Sequence, residues 1–222
     1  MKKMIFVVVA VAILGLAAFA IINGQNVKNS QENSGNTGPS IPVSNKMVVN
    51  TTGDQYIGSN DASITIIEFT DFQCPYCSKF HEETFPIIKQ NYIDTGKVKY
   101  VVKDFPLAAH AYAEQSAIAA ECANGQGKFW EYVDMLYKNQ DYLSKPLLKN
   151  YAKSLGLNET TFNQCLDNRE TFSEVEKDAI EGTRVGVTGT PYFFINGVAV
   201  DGAYPYEVFQ SVIEQELSTN KN

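Results

Sequence analysis

Four residues, Cys74-Pro75-Tyr76-Cys77, stand where one backbone pattern gives way to another. Before them runs Ser63-Ile64-Thr65-Ile66-Ile67-Glu68-Phe69, apolar and β-branched with a charge only near its end, the pattern of a buried strand. After them, Tyr76, Phe80, Ile87 and Ile88 mark the apolar face of a helix, and Pro86 predicts a kink because proline removes a backbone donor. A cysteine pair at such a junction has its first sulfur at a helix N-terminus, near unpaired N–H groups and the positive end of the dipole. Those groups favour thiolate over thiol and bring a cysteine pKa from about 8.5 into the range of about 3.5–7.5. Cys74 is accordingly the attacking thiol. Cys77, one turn later and facing inward, is the resolving one.

The rest of the chain builds a sheet around this junction. Met47-Val48-Val49 reads as a short lead strand, and Gly96 closes the helical stretch before Lys97-Val98-Lys99-Tyr100-Val101-Val102-Lys103 alternates as a strand. A β-α-β unit in one sheet implies parallel strands. Residues 108–185 are alanine-rich and helically periodic, and predict four or five short helices inserted between the two halves of the sheet. Ser144 with Pro146 starts one that Gly156 ends, and Asn158 caps the next. Then come Tyr192-Phe193-Phe194-Ile195, the turn Asn196-Gly197 and Val198-Ala199-Val200, a strong hairpin signal. Pro205 opens a final helix with Tyr206, Phe209, Ile213 and Leu217 on one face.

Ahead of this domain lies an apolar run from Met4 to Ile22, preceded by Lys2 and Lys3. It is long enough to cross a hydrocarbon core of about 30 Å, and the lysines orient the N-terminus to the cytoplasmic side. Residues 1–23 therefore read as a transmembrane anchor or as a signal segment, since Ala18-Phe19-Ala20 offers a small-x-small cleavage site. The anchor is the favoured reading because the apolar run continues through Ile21 and Ile22. Residues 24–46, rich in Asn, Ser, Gly and Gln, form a flexible linker, and residues 47–222 the folded domain. A formal charge of −7 excludes nucleic acid as partner, since that binding requires a cationic surface.

Other readings of the cysteine pair fare worse. A structural zinc site needs four Cys or His ligands, whereas the remaining cysteines are solitary and the histidines are His81 and His110. Both histidines read as surface residues. A purely structural disulfide across so short a loop constrains the unfolded chain little.

The run from Ile66 to Phe80 (IIEFTDFQCPYCSKF) resembles the active-site segment of DsbA-like thiol:disulfide oxidoreductases. So does Val187-Thr188-Gly189-Thr190-Pro191-Tyr192-Phe193-Phe194-Ile195-Asn196-Gly197, and the similarity extends from about Gly58 to the C-terminus. The resemblance implies a thioredoxin fold with a helical insertion. It implies a cis Thr190-Pro191 peptide that lies against the cysteine pair and lines the substrate groove. It implies that Glu68 sits beneath Cys77 as a proton relay; Lys99 or Lys103, on the next strand and on one face with each other, is the candidate partner the strand pattern offers it. It is also similar to a subset of the family with a second, non-catalytic disulfide, here Cys122 with Cys165. Two free buried thiols are the alternative.

The activity implied is disulfide exchange with protein substrates that carry free thiols, outside the cytoplasm, with no metal or organic cofactor. The re-oxidising partner implied is a quinone-linked membrane oxidoreductase of the DsbB or vitamin-K-epoxide-reductase type. A reductase or isomerase of the same fold is the first alternative. A tethered, redox-inactive module that binds a peptide or metal is the second. The Pro75-Tyr76 dipeptide departs from the Pro-His of the strongest oxidants in the family, because tyrosine supplies neither a positive charge nor an imidazole N–H.

Overall fold

The structure is a computed structural model, and it describes residues 46–219. The reading of residues 1–23 and of most of the linker lies outside the described residues. Among the described residues, no helix is long and apolar enough to cross a membrane.

Five strands form one mixed sheet in the order β1-β3-β2-β4-β5, where β1 is Gln55–Gly58, β2 Ile64–Thr70, β3 Val98–Asp104, β4 Tyr192–Ile195 and β5 Val198–Asp201. β2 and β3 are parallel, with Ile66 beside Tyr100 and Glu68 beside Val102, and β4 runs antiparallel to β2. Between β2 and β3 lie helix α1 (Pro75–Glu83), the single turn α2 (Phe85–Ile88) and a π-helical turn at Lys89–Ile93. The break falls at Thr84, so that Pro86 sits in the first turn of α2, where a missing N–H costs nothing.

The β4–β5 hairpin turns on Asn196 (φ 46°) and Gly197 (φ 85°), the two positive φ values that favour Asn-Gly in such turns. A Cβ at residue 197 would lie 2.5 Å from the Met47 carbonyl oxygen, so glycine there also admits the N-terminal segment.

The lead strand differs from the sequence reading. Met47-Val48-Val49 is not in the sheet: Met47 donates a backbone bond to the Gly197 carbonyl, and Val48 is exposed. Gln55–Gly58 takes the edge instead, antiparallel to β3. β-branched composition favoured the first segment, but only the second alternates in burial as a half-covered edge strand must.

Five helices form the insertion: α3 (Ala113–Asn124), α4 (Phe129–Lys138), α5 (Lys145–Ser154), α6 (Glu159–Asn168) and α7 (Phe172–Arg184). The Asn158 side chain accepts from the Thr161 N–H at 3.0 Å, which caps α6. The C-terminal helix α8 spans Tyr206–Thr219. On one face of the sheet Ile64, Ile66, Tyr100, Val102 and Phe193 join the helical core, and on the other Ile67, Phe69, Val101 and Phe194 pack with Val185 and Val187. That division decides where the polar residues of β2 and β3 can meet.

Candidate active site

Cys74 is the N-cap residue of α1, with extended backbone (φ −75°, ψ 122°) and no side-chain capping bond. Its carbonyl accepts the first helical bonds, from Cys77 at 3.1 Å and Ser78 at 3.2 Å. Both Cys74 and Cys77 are free thiols, 3% and 0% exposed. Proline occupies the first helical position, and Tyr76 projects outward with 65% of its surface exposed.

The Thr190-Pro191 peptide is cis, and the Thr190 carbonyl accepts from Cys74 Sγ at 3.3 Å. The Thr190 hydroxyl is buried without a hydrogen-bond partner and lies close enough to the same sulfur to lower its pKa. Together with Tyr76, Gly202, Ala203 and Tyr204, Thr190 and Pro191 line a groove of about 260 Å³ that opens beside Cys74.

Two thiols one turn apart are thereby made chemically unlike. A hydrogen bond from the Cys77 thiol, opposed by burial and aided by the Thr190 hydroxyl and the N–H groups of Cys77 and Tyr76, lowers the Cys74 pKa from 9.0 to about 5. Burial, the bond to Cys74 and the nearby Glu68 carboxyl push Cys77 well above the ordinary thiol value. At neutral pH the pair holds one proton, on Cys77. Charge as well as position makes Cys74 the more nucleophilic of the two sulfurs.

Glu68 is buried on the face of β2 that looks toward α1, and burial raises its pKa. The Tyr100 hydroxyl donates to Oε2, while Oε1 has no partner. Thr70, two residues on and on the same face, shares a 2.7 Å hydrogen bond with the Tyr137 hydroxyl.

The pairing of Glu68 with a lysine is corrected. Lys99 donates to Asn60, and Lys103 lies between Asp54 and Asp178 at 2.7 and 2.6 Å. The reason is strand parity: Lys99 and Lys103 stand in register with Thr65 and Phe69, on the opposite face of the sheet from Glu68.

Cys122 on α3 and Cys165 on α6 are joined, with Cα atoms 5.8 Å apart and a sequence separation of 43. This bond ties two helices of the insertion. His81 packs against Phe85 and Tyr137 and pairs with Asp134 at 2.9 Å, and His110 pairs with the buried Asp71 at 2.7 Å. Both are only partly exposed. Among the described residues, no group of three or more His, Cys, Asp or Glu side chains is arranged to hold a metal ion. Asp71, Thr70, Tyr137 and Gln140 all border the site and escaped the sequence reading. Of these only Asp71 carried a local signal, an Asp two residues before a turn N–H that its carboxylate accepts.

A family model described as thioredoxin matches residues 50–215. The chain belongs to the thioredoxin family. Within that family it is similar to DsbA-like proteins. Oxidised BdbD from Bacillus subtilis superposes with a TM-score of 0.73 at 26% identity, over 78% of this chain and 97% of that one. Wolbachia pipientis α-DsbA1 gives 0.69 at 27%, over 78% and 94%. Disulfide bond formation protein D of Bacillus subtilis is 28% identical over 74% of this chain and 78% of its own length. The Na(+)/H(+) antiporter NhaA 3 of Salinispora tropica is 35% identical over 72% of this chain, and the match spans only 24% of that protein.

Proposed function

We propose that the protein is an extracytoplasmic thiol:disulfide oxidoreductase that introduces disulfides into proteins with free thiols. The observation that carries this reading is the contrast between the two sulfurs: Cys74 lowered to about 5 at a groove, Cys77 raised and closed off behind it. A client thiolate attacks Cys74 Sγ of the oxidised pair, the Cys74–Cys77 bond breaks, and Cys77 departs as a buried thiolate that takes a proton. The client's second thiolate then attacks the client sulfur of the mixed disulfide. Cys74 leaves as the stabilised thiolate, the client is oxidised by two electrons and the pair is reduced by two.

In this reading Cys74 and Cys77 are catalytic, and Pro75 and Tyr76 shape the motif. Thr190 and Pro191 line the groove that receives the client chain. Glu68, whose pKa burial raises against the opposing hydrogen bond from the Tyr100 hydroxyl, hands its proton to the departing Cys77. The Cys122–Cys165 bond is structural. Residues 1–23 anchor the chain in a membrane, residues 24–46 form the tether and residues 47–222 the catalytic domain. The support for the anchor is the apolar run after Lys2 and Lys3. A quinone-linked membrane oxidoreductase of the DsbB or vitamin-K-epoxide-reductase type re-oxidises the pair.

The test is trapping. With Cys77→Ala, the Cys74 thiolate attacks a client disulfide, one client sulfur stays on Cys74 while the other leaves as a thiolate, and no Cys77 is present to release the client from within. Mixed disulfides with client proteins therefore accumulate and are lost on adding Cys74→Ser. Absence of any Cys74-linked protein would overturn a protein substrate.

A further inference from the structure

The segment that leads into the redox pair, Asp71 to Cys74, is gripped from two sides by the helical insertion. On one side the Leu107 N–H donates to Asp71 Oδ2 at 2.9 Å, and His110 Nδ1 lies 2.7 Å from the same oxygen. Gln73 Oε1 accepts from the Tyr112 N–H at 2.6 Å. On the other side, the turn after α4 sends in Gln140. Its Nε2 donates to the Phe72 carbonyl at 3.0 Å and to the Cys74 carbonyl at 2.8 Å.

The bond to Cys74 bears on the sulfur itself. An N-cap residue usually fixes its own peptide through its side chain, but here that side chain is the reactive group and makes no capping bond. The helical N–H groups of Cys77 and Ser78 hold the Cys74 carbonyl along the helix axis. Gln140 approaches from another element and fixes how the peptide is turned about that axis. The turn sets where the Cα–Cβ bond sends Sγ, and so its 3.3 Å approach to Thr190. The amide hydrogens add a positive dipole end to the field around the thiolate.

We propose that Gln140 is a positioning residue for the exchange reaction, through which the helical insertion sets both the aim and the acidity of Cys74. The proposal rests on the exchange reading above. In the mixed disulfide the client pulls on Cys74 while two thiolates compete for in-line attack, so small errors in the placement of Sγ cost rate.

Gln140→Met in the full chain keeps length and neutrality and removes both donors. Three readouts follow: thiolate absorbance against pH, equilibrium with glutathione, and the rate of disulfide transfer to a reduced two-cysteine peptide, with the melting temperature as a check on folding. The Cys74 pKa rises, the glutathione equilibrium moves toward the protein disulfide, and the rate falls about threefold to tenfold, the worth of one or two hydrogen bonds. A folded variant that matches the wild type in all three overturns the proposal. Should Gln140→Met not fold, Gln140→Asn keeps an amide too short to span both carbonyls, and the same readouts decide. Should the wild type itself transfer no disulfide, the exchange reading fails, and the pKa comparison still decides the role of Gln140.

Discussion

Cys74 Sγ donates to the carbonyl oxygen of Thr190 at 3.3 Å, across 116 residues of sequence. The carbonyl accepts only from the protonated sulfur, whereas the Thr190 hydroxyl can donate to the thiolate, so one residue serves both states of the thiol.

The hydroxyl is the half that lowers the Cys74 pKa. Thr190→Val keeps the backbone carbonyl and the side-chain shape and removes the donor. The pKa should rise from about 5 by about one unit, in line with a hydrogen bond to a charged group, as read by thiolate absorbance. An unchanged titration would mean that the backbone N–H groups and Cys77 suffice.

Tyr76 is exposed beside the same sulfur and contributes no charge. Tyr76→His should lower the Cys74 pKa and raise the reduction potential together, by about 30 mV for each pKa unit. Thiolate titration and glutathione equilibrium of both proteins check it. A pKa that falls without a rise in potential would show that thiolate stability does not control this centre.

Much of this site was legible in the sequence because its signals are local. The cysteine pair, the strand before it and Asn196-Gly197 each act through neighbours within a few residues, whereas Thr190-Pro191, which meets Cys74 across 116 residues, was legible through the family resemblance. Gln140 was not legible, because its partners are backbone groups on a distant segment that carry no mark in the sequence, and Asp71 signalled only its local bond to the Gln73 N–H, not its bonds to Leu107 and His110. The lysine pairing failed differently: Lys99 and Lys103 were placed on the correct strand and on one face, but the register that puts that face away from Glu68 exists only in the folded sheet. The five insertion helices were legible as a group through alanine content and caps such as Asn158.

Glu68 should matter to the step that protonates Cys77. Glu68→Gln removes a carboxyl that pushes Cys77 up, so the Cys77 pKa should fall from its raised value. It also removes the proton carrier, so disulfide transfer at neutral pH should slow by about a hundredfold, the usual worth of a positioned acid–base group. Stopped-flow kinetics across pH distinguish the two effects. A pH–rate profile identical to that of the wild type would remove Glu68 from the reaction.

Stability should depend on pH through the carboxyls around Lys103. Burial raises Glu121 from 4.5 to about 7 and raises Asp104 and Asp178 as well. The folded protein then binds more protons than the unfolded chain between those values, so this contribution is full below 4.5 and is lost as pH rises through about 7. Cys74 acts with the opposite sign, since its folded pKa is lowered and its thiolate stabilises the reduced form as pH rises. The oxidised protein isolates the carboxyls. Its melting temperature should rise by about 5 °C from pH 8 to pH 5.5, and Glu121→Gln should flatten the slope.

The measurement that bears most directly on the account is single-turnover transfer from the oxidised full chain to a reduced two-cysteine peptide, followed by mass spectrometry of both. One disulfide per protein should pass to the peptide, leaving Cys74 and Cys77 as free thiols, and Cys74→Ser should transfer none. A peptide that stays reduced before an excess of oxidised protein, or a Cys74→Ser variant as active as the wild type, would contradict the assignment of this site to disulfide donation.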